Sequence, residues 1–193
     1  MPSIALDSAA KTRILFLPYL DLLAPYRGVF FYLTITPYGK DIEPGVKDEH
    51  QVIEDFEELS WRFGKNSVGW RYDPILISQK YNVSQHLSSF RKMAALLEGY
   101  TSICTISFLD LYDKVRRNSP EAKEVSEENK AALVKGLAES ASSHGMKIDM
   151  CHEGKRWQKY GADGNGCMTL PFCEAAIGEK LIFPKGTSSV REG

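Results

Sequence analysis

The sequence predicts an α/β fold, a partial (β/α) TIM-like barrel built on parallel strands. Three observations carry this expectation. From Val29 onward, β-branched and aromatic runs alternate with amphipathic helical patterns. That alternation implies a parallel sheet joined by right-handed crossovers. No Gly-rich phosphate fingerprint follows any strand, so a nucleotide-binding Rossmann unit is unsupported. The segments after the strands are dense in polar residues, whereas the opposite loops "FGKNS" and "LLEGYTS" are short and bland.

Each element has its own signal. "VFFYLTIT", Val29 to Thr36, is rich in residues that suit a half-buried pleated surface. "HQVIEDFEELSWRFG" follows, with Val52, Ile53, Phe56, Leu59 and Phe63 at helical spacing and Gly64 as terminator. A short strand is expected over Val68 to Tyr72. The next helix, "SQHLSSFRKMAALLEGY", takes Ser84 as its N-cap, presents Leu87, Phe90, Met93, Ala94 and Leu97, and closes at Gly99. Ile103 to Phe108 is a strand, then Ser126 caps a third helix that ends at Gly145. "MKIDMC" is a further strand, "GADGNG" a turn, "LPFCEAAIG" a short helix and "EKLIFP" a last strand. Residues 1–193 read as one domain, with residues 1–15 an atypical, disordered N-terminus.

Composition bounds the function. The formal net charge is -1, which gives no electrostatic case for nucleic acid. No apolar run reaches the ~20 residues that span a bilayer, so no membrane partner is expected. The opening "MPSIALDSAAKTR" lacks the basic start and apolar centre of a secretory signal, so a cytoplasmic location is expected. The four cysteines are then expected to stay reduced, with Cys104 packed as a small hydrophobe.

In parallel α/β folds the ligand site lies at the C-terminal ends of the strands. Here those ends read "TPYGKD", "RYDP", "SFLDLYD" and "CHEG". The candidate pocket for a small-molecule substrate therefore draws Thr36, Tyr38, Lys40 and Asp41 from the first. It draws Arg71 and Asp73 from the second, Ser107, Asp110 and Tyr112 from the third, and Glu153 from the last. Cys151 beside His152 is a candidate metal contact, although no common zinc or iron–sulfur spacing occurs.

Plainer readings stand beside these. Pro37 and Pro74 can simply end strands. Arg71 and Asp73, two apart on an extended segment, point to the same side and can form a structural ion pair. Asp41 and Glu43 can serve loop solubility, and Asp110 and Asp113 can cap a turn. His50, His86 and His144 read as surface or packing residues. "DGNG" lacks the remaining ligands of a calcium loop and reads as a turn.

Three segments carry a resemblance. "LTITPYGKDIEPGV", "VGWRYDPILIS" and "ISFLDLYDKVRRN", in this order, are similar to an uncharacterised bacterial family, domain of unknown function eighteen forty-eight. The resemblance covers about Phe16 to Gly193. It implies a partial TIM-like barrel and a C-terminal cysteine cluster like that with which radical S-adenosylmethionine enzymes hold a [4Fe–4S] centre. The nearest analogy is the spore photoproduct lyase branch. Two departures matter. Family members carry a strand ending in Thr-Lys-Asn-Pro before the segment matching "FLPYLDLL"; here "IALDSAAKTRI" does not match and does not read as a strand. The family's cluster lies beyond the segment resembling "REG", where this chain stops, so Cys151, Cys167 and Cys173 match positions upstream of it. A chain truncated at both ends, inactive alone, is therefore expected, with no cofactor of its own. The missing strand would leave an uncovered edge open to self-association. The [4Fe–4S] cluster and S-adenosylmethionine are expected of the intact family. Two other readings stay open: a metal-dependent hydrolase or lyase using Asp41, Asp73, Asp110, His152 and Glu153, and a non-enzymatic binding module.

Overall fold

The computed structural model describes residues 4–8, 17–23, 25–26, 28–45, 49–111, 115, 117, 122–151, 154–164, 166 and 170–180. Strands β1 (Ile4–Ser8), β2 (Val29–Thr34), β3 (Val68–Ile75), β4 (Ile103–Phe108), β5 (Lys147–Met150) and β6 (Ala162–Asp163) form one six-stranded sheet. Their order in the sheet is their order in the chain, and every adjacent pair is parallel. The protein is thus an α/β fold with an all-parallel sheet, and the order of its described strands does not reverse.

Alternate strand residues face opposite sides of the sheet, and the two sides differ here. Phe31, Leu33, Val68, Trp70, Tyr72, Cys104, Ile106, Ile148 and Met150 share one buried core with the helices α1 (Glu49–Phe63), α2 (Val83–Leu96) and α3 (Glu127–Ser143). Phe31 meets Phe63 of α1 with ring centroids 4.9 Å apart, and Trp70 stacks on Phe90 of α2 at 4.5 Å. Phe56, Leu59, Leu133 and Leu137 are fully enclosed; burying each contributes about 1.5–3 kcal/mol.

The other side changes character along the strands. Near the strand starts it carries Phe30 and Tyr32, whose rings touch edge to face at 4.9 Å. Tyr32 lies beside Gly69, and a Cβ at position 69 would stand 2.7 Å from its ring. Further along, Thr34, Arg71, Thr105, Asp149 and Asp163 are register partners on successive strands. A polar row thus crosses the sheet, and Thr34, Thr105 and Asp149 in it are buried.

Several expectations need correction. Ile4–Ser8, read as disordered and not as a strand, is β1, and it pairs with Val29 to Leu33. Parallel pairing runs through backbone groups, which a short segment offers whatever its side chains. The uncovered edge on β2 is therefore occupied. β2 ends at Thr34, two residues early. β3 runs on to Ile75 through Pro74, because the ladder with β4 is interrupted between Tyr72 and Ile75, where a missing N–H costs no ladder bond. The Asp73–Pro74 peptide is cis. Asn82, not Ser84, caps α2: its side-chain oxygen accepts from the Gln85 backbone N–H at 3.0 Å. Ala162–Asp163, read as part of a turn, forms β6 against Ile148 and Asp149. Other readings agree with the structure. Ser126 caps α3, accepting from the Asn129 N–H, and Gly64, Gly99 and Gly145 adopt the positive φ that ends helices. The short helix is α4 (Leu170–Ile177), and the expected last strand lies almost wholly outside the described residues.

Candidate functional site

The site begins on β3. Arg71 and Asp73 project to the same side, and Arg71 Nη2 donates to Asp73 Oδ2 at 2.9 Å. Both side chains are largely buried, 20% and 10% exposed, so the pair is held rather than solvated. The Arg71 guanidinium also lies over the Tyr32 ring, 5.8 Å from its centroid.

β4 supplies Ser107 and, just past its end, Asp110; neither side chain makes a hydrogen bond or ion pair with a described residue. Cys151 follows β5, its N–H bonded to the Ile106 carbonyl at 3.0 Å. The 3₁₀ helix Gly154–Tyr160 then brings in Arg156, whose guanidinium lies 4.7 Å from the Trp157 ring centroid. Arg156 Nη1 donates to Glu127 Oε2, on the first turn of α3, at 3.1 Å. Arg71, Asp73, Ser107, Phe108, Asp110, Cys151 and Arg156 line one cavity of about 620 Å³ at the C-terminal ends of β3, β4 and β5. That lies within the ~300–1,000 Å³ of small-molecule sites. Thr105 lies two residues before Ser107 on the same side of β4; it is fully buried, and its hydroxyl has no hydrogen-bond partner among the described residues.

The loops after β2 and β3 make a separate arrangement. Tyr81 Oη accepts from the Gly39 N–H and donates to Asp41 Oδ1, both at 2.9 Å, and Lys80 Nζ reaches Asp41 Oδ2 at 2.9 Å. The hydrogen bond from Lys80 lowers the Asp41 carboxyl, and the same bond raises the Lys80 ammonium. Asp41, Ser78, Lys80 and Tyr81 border a second cavity of about 560 Å³. Tyr38 is buried beneath these loops, donating to the Pro74 carbonyl at 2.8 Å and accepting from the Leu76 N–H at 2.9 Å. Burial pushes its phenol far up. Thr36 donates to Glu43 at 2.9 Å, and Lys40 is exposed.

The structure therefore brings Arg71, Asp73, Ser107 and Asp110 together, with Cys151 beside them. It places Asp41 in the neighbouring loop cavity, Tyr38 in the packing below it, Thr36 on a loop pair and Lys40 in solvent. Tyr112, His152 and Glu153 lie outside the described residues. Sequence reading missed Arg156, Thr105 and Asp149. The signals were an Arg-Trp pair just past a strand end and single polar residues within the apolar runs "ICTISF" and "KIDM".

A family model described as domain of unknown function (DUF1848) matches residues 8–192. The chain belongs to this family. No curated protein matches it. In this DUF1848 chain no group of three His, Cys, Asp or Glu residues among the described residues is placed to hold a metal ion. Cys104 is sealed in β4, where burial pushes its thiol up, Cys151 borders the cavity, and Cys173 sits on α4. The described thiols do not converge, so they do not fit an iron–sulfur cluster. No described helix is long and apolar enough to cross a membrane.

Proposed function

We propose that this chain is a partial (β/α) barrel of the radical S-adenosylmethionine type whose strand-end cavity receives a polar small molecule, cofactor or substrate. The sequential parallel strand order supports the barrel, because a doubly wound sheet reverses its order at a switch point. The observation that carries the reading is the convergence of Arg71, Asp73, Ser107, Asp110 and Arg156, from three strand ends and the following 3₁₀ helix, on one cavity. Arg71 offers planar, bidentate donors to a carboxylate or phosphate. Asp73 orients it and holds that geometry before a ligand arrives, so little ordering is left to binding. Because the described residues do not fit an iron–sulfur cluster, no catalytic step is assigned through one. A cytoplasmic setting belongs to the same reading, supported by Cys104, Cys151 and Cys173 standing outside any disulfide.

The test is titration calorimetry with S-adenosylmethionine on the whole chain and on Arg71→Ala, with circular dichroism to verify folding. Saturable binding that weakens at least about 10-fold in the variant is expected, since a charge-assisted hydrogen bond contributes ~1.5–3 kcal/mol. Equal affinity in a folded variant, or no binding to either protein, defeats the proposal.

A further inference from the structure

The loops after β2 and β3 border the second cavity of about 560 Å³, and it shares no described lining residue with the cavity at the strand ends. Its wall is pinned in place. Ser78 and Tyr81 close a turn on each other: the Ser78 N–H donates to the Tyr81 carbonyl at 3.2 Å, and Ser78 Oγ accepts from the Tyr81 N–H at 3.1 Å. Both residues are buried, and the Tyr81 ring meets Tyr38 edge to face at 5.0 Å. Tyr81 Oη and Lys80 Nζ each hold one carboxylate oxygen of Asp41. The Asp41 and Lys80 side chains are 44% and 65% accessible, so a ligand can reach them. A wall already set in this way leaves little ordering to binding.

Hydrogen-bonding capacity is left over on this wall in both directions. Each Asp41 oxygen keeps a lone pair, and the Lys80 ammonium keeps donors beyond the one spent on Asp41. The Ser78 hydroxyl donates to no described residue, and the Gln79 amide, which can donate and accept, bonds to none. Formal charge is not left over: Asp41 and Lys80 are the charged residues among the described lining, and they face each other at 2.9 Å. An anion would have to draw Lys80 away and then face the Asp41 carboxylate. A cation would meet the same obstacle in reverse, and a zwitterion would replace a pair that is already made. A hydroxyl both donates and accepts, so adjacent hydroxyls can bridge the pair without breaking it. Ile42 adds an apolar surface beside these groups, suited to the C–H face of a ring. We propose that the loop cavity is a binding site for a neutral sugar, with vicinal hydroxyls of a hexose ring bridging Asp41 and Lys80 and its other oxygens on Ser78 and Gln79. This site is independent of the ligand assigned to the strand-end cavity.

Saturation-transfer NMR on the whole chain tests this with D-glucose, D-galactose and D-mannose, each titrated into the tens of millimolar beside its uronic acid and its 2-amino sugar. At least one neutral hexose is expected to bind saturably, at least about 5-fold tighter than either charged counterpart. Lys80→Met should weaken that hexose about 10-fold, and Gln79→Ala a few-fold, with the circular dichroism of both variants unchanged, since both side chains are exposed. Arg71→Ala should leave hexose binding as it is. No saturable binding by any of the three hexoses, a charged counterpart that binds tighter than its neutral parent, or full affinity in both loop variants overturns the assignment. Hexose binding lost in Arg71→Ala and kept in both loop variants would seat the sugar at the strand ends, so that the loop site falls while the strand-end cavity keeps its role. Hexose binding that depends on Lys80, beside S-adenosylmethionine that does not bind, would mean the reverse.

Discussion

His86 gives the sharpest quantitative test of how the site is held. It is completely buried on α2, with Nδ1 2.8 Å from the Tyr72 hydroxyl and Nε2 2.9 Å from the Leu76 carbonyl. A carbonyl only accepts, so the neutral ring donates from Nε2 and accepts from Tyr72 at Nδ1. With Tyr38, His86 ties down Pro74 to Leu76, the segment immediately after Asp73. Replacing His86 with Phe keeps the ring and removes both bonds. Each buried group left unsatisfied costs about 1–3 kcal/mol. Tyr72 Oη keeps a long contact of 3.4 Å to the His86 carbonyl, so the total is set at ~2–4 kcal/mol. Acid adds a second signature. Burial lowers the His86 pKa, opposed by the hydrogen bond to Leu76. With the folded value below the unfolded ~6.5, the unfolded chain takes up the proton first as pH falls. Stability is therefore fully present above ~6.5 and is lost below it, down to the folded pKa, by at most about 1.4 kcal/mol per pH unit. Urea unfolding of both proteins at several pH values between neutrality and mild acid reads both effects. A variant within about 0.5 kcal/mol of the parent at neutral pH, a typical surface effect, would refute the hydrogen-bond account. An unchanged acid slope would refute the titration account.

Two further predictions concern single side chains. Asn82→Ala should cost about 1 kcal/mol by removing the α2 cap, whereas Ser84→Ala, inside the first turn, should be near neutral; comparable losses in thermal melts would argue that the cap is misassigned. Thr105→Val replaces a sealed hydroxyl with no partner among the described residues and should raise stability by about 1 kcal/mol; a lower midpoint in urea would mean that the hydroxyl has a partner, such as a bound water.

Much of this molecule could be read from local pattern. β4 and the helices around Phe56, Phe90 and Leu137 follow from periodicity, which depends only on neighbours in the chain. The Arg71–Asp73 pair follows from the two-residue repeat of a strand, and the Ser126 cap and the glycine stops from backbone geometry. The folded chain alone decided the rest. β1 exists because Ile4–Ser8 found the open side of β2, and Pro74 is tolerated because a ladder break lies there. Tyr38 went inward to bond Pro74 and Leu76, 36 and 38 residues away, while Lys40, two positions on, stayed in water. Arg156 reached the cavity from a 3₁₀ helix anchored to Glu127, 29 residues earlier. Pairing and packing between segments so far apart depend on where the partner lies in space, and no periodicity within one segment encodes that position.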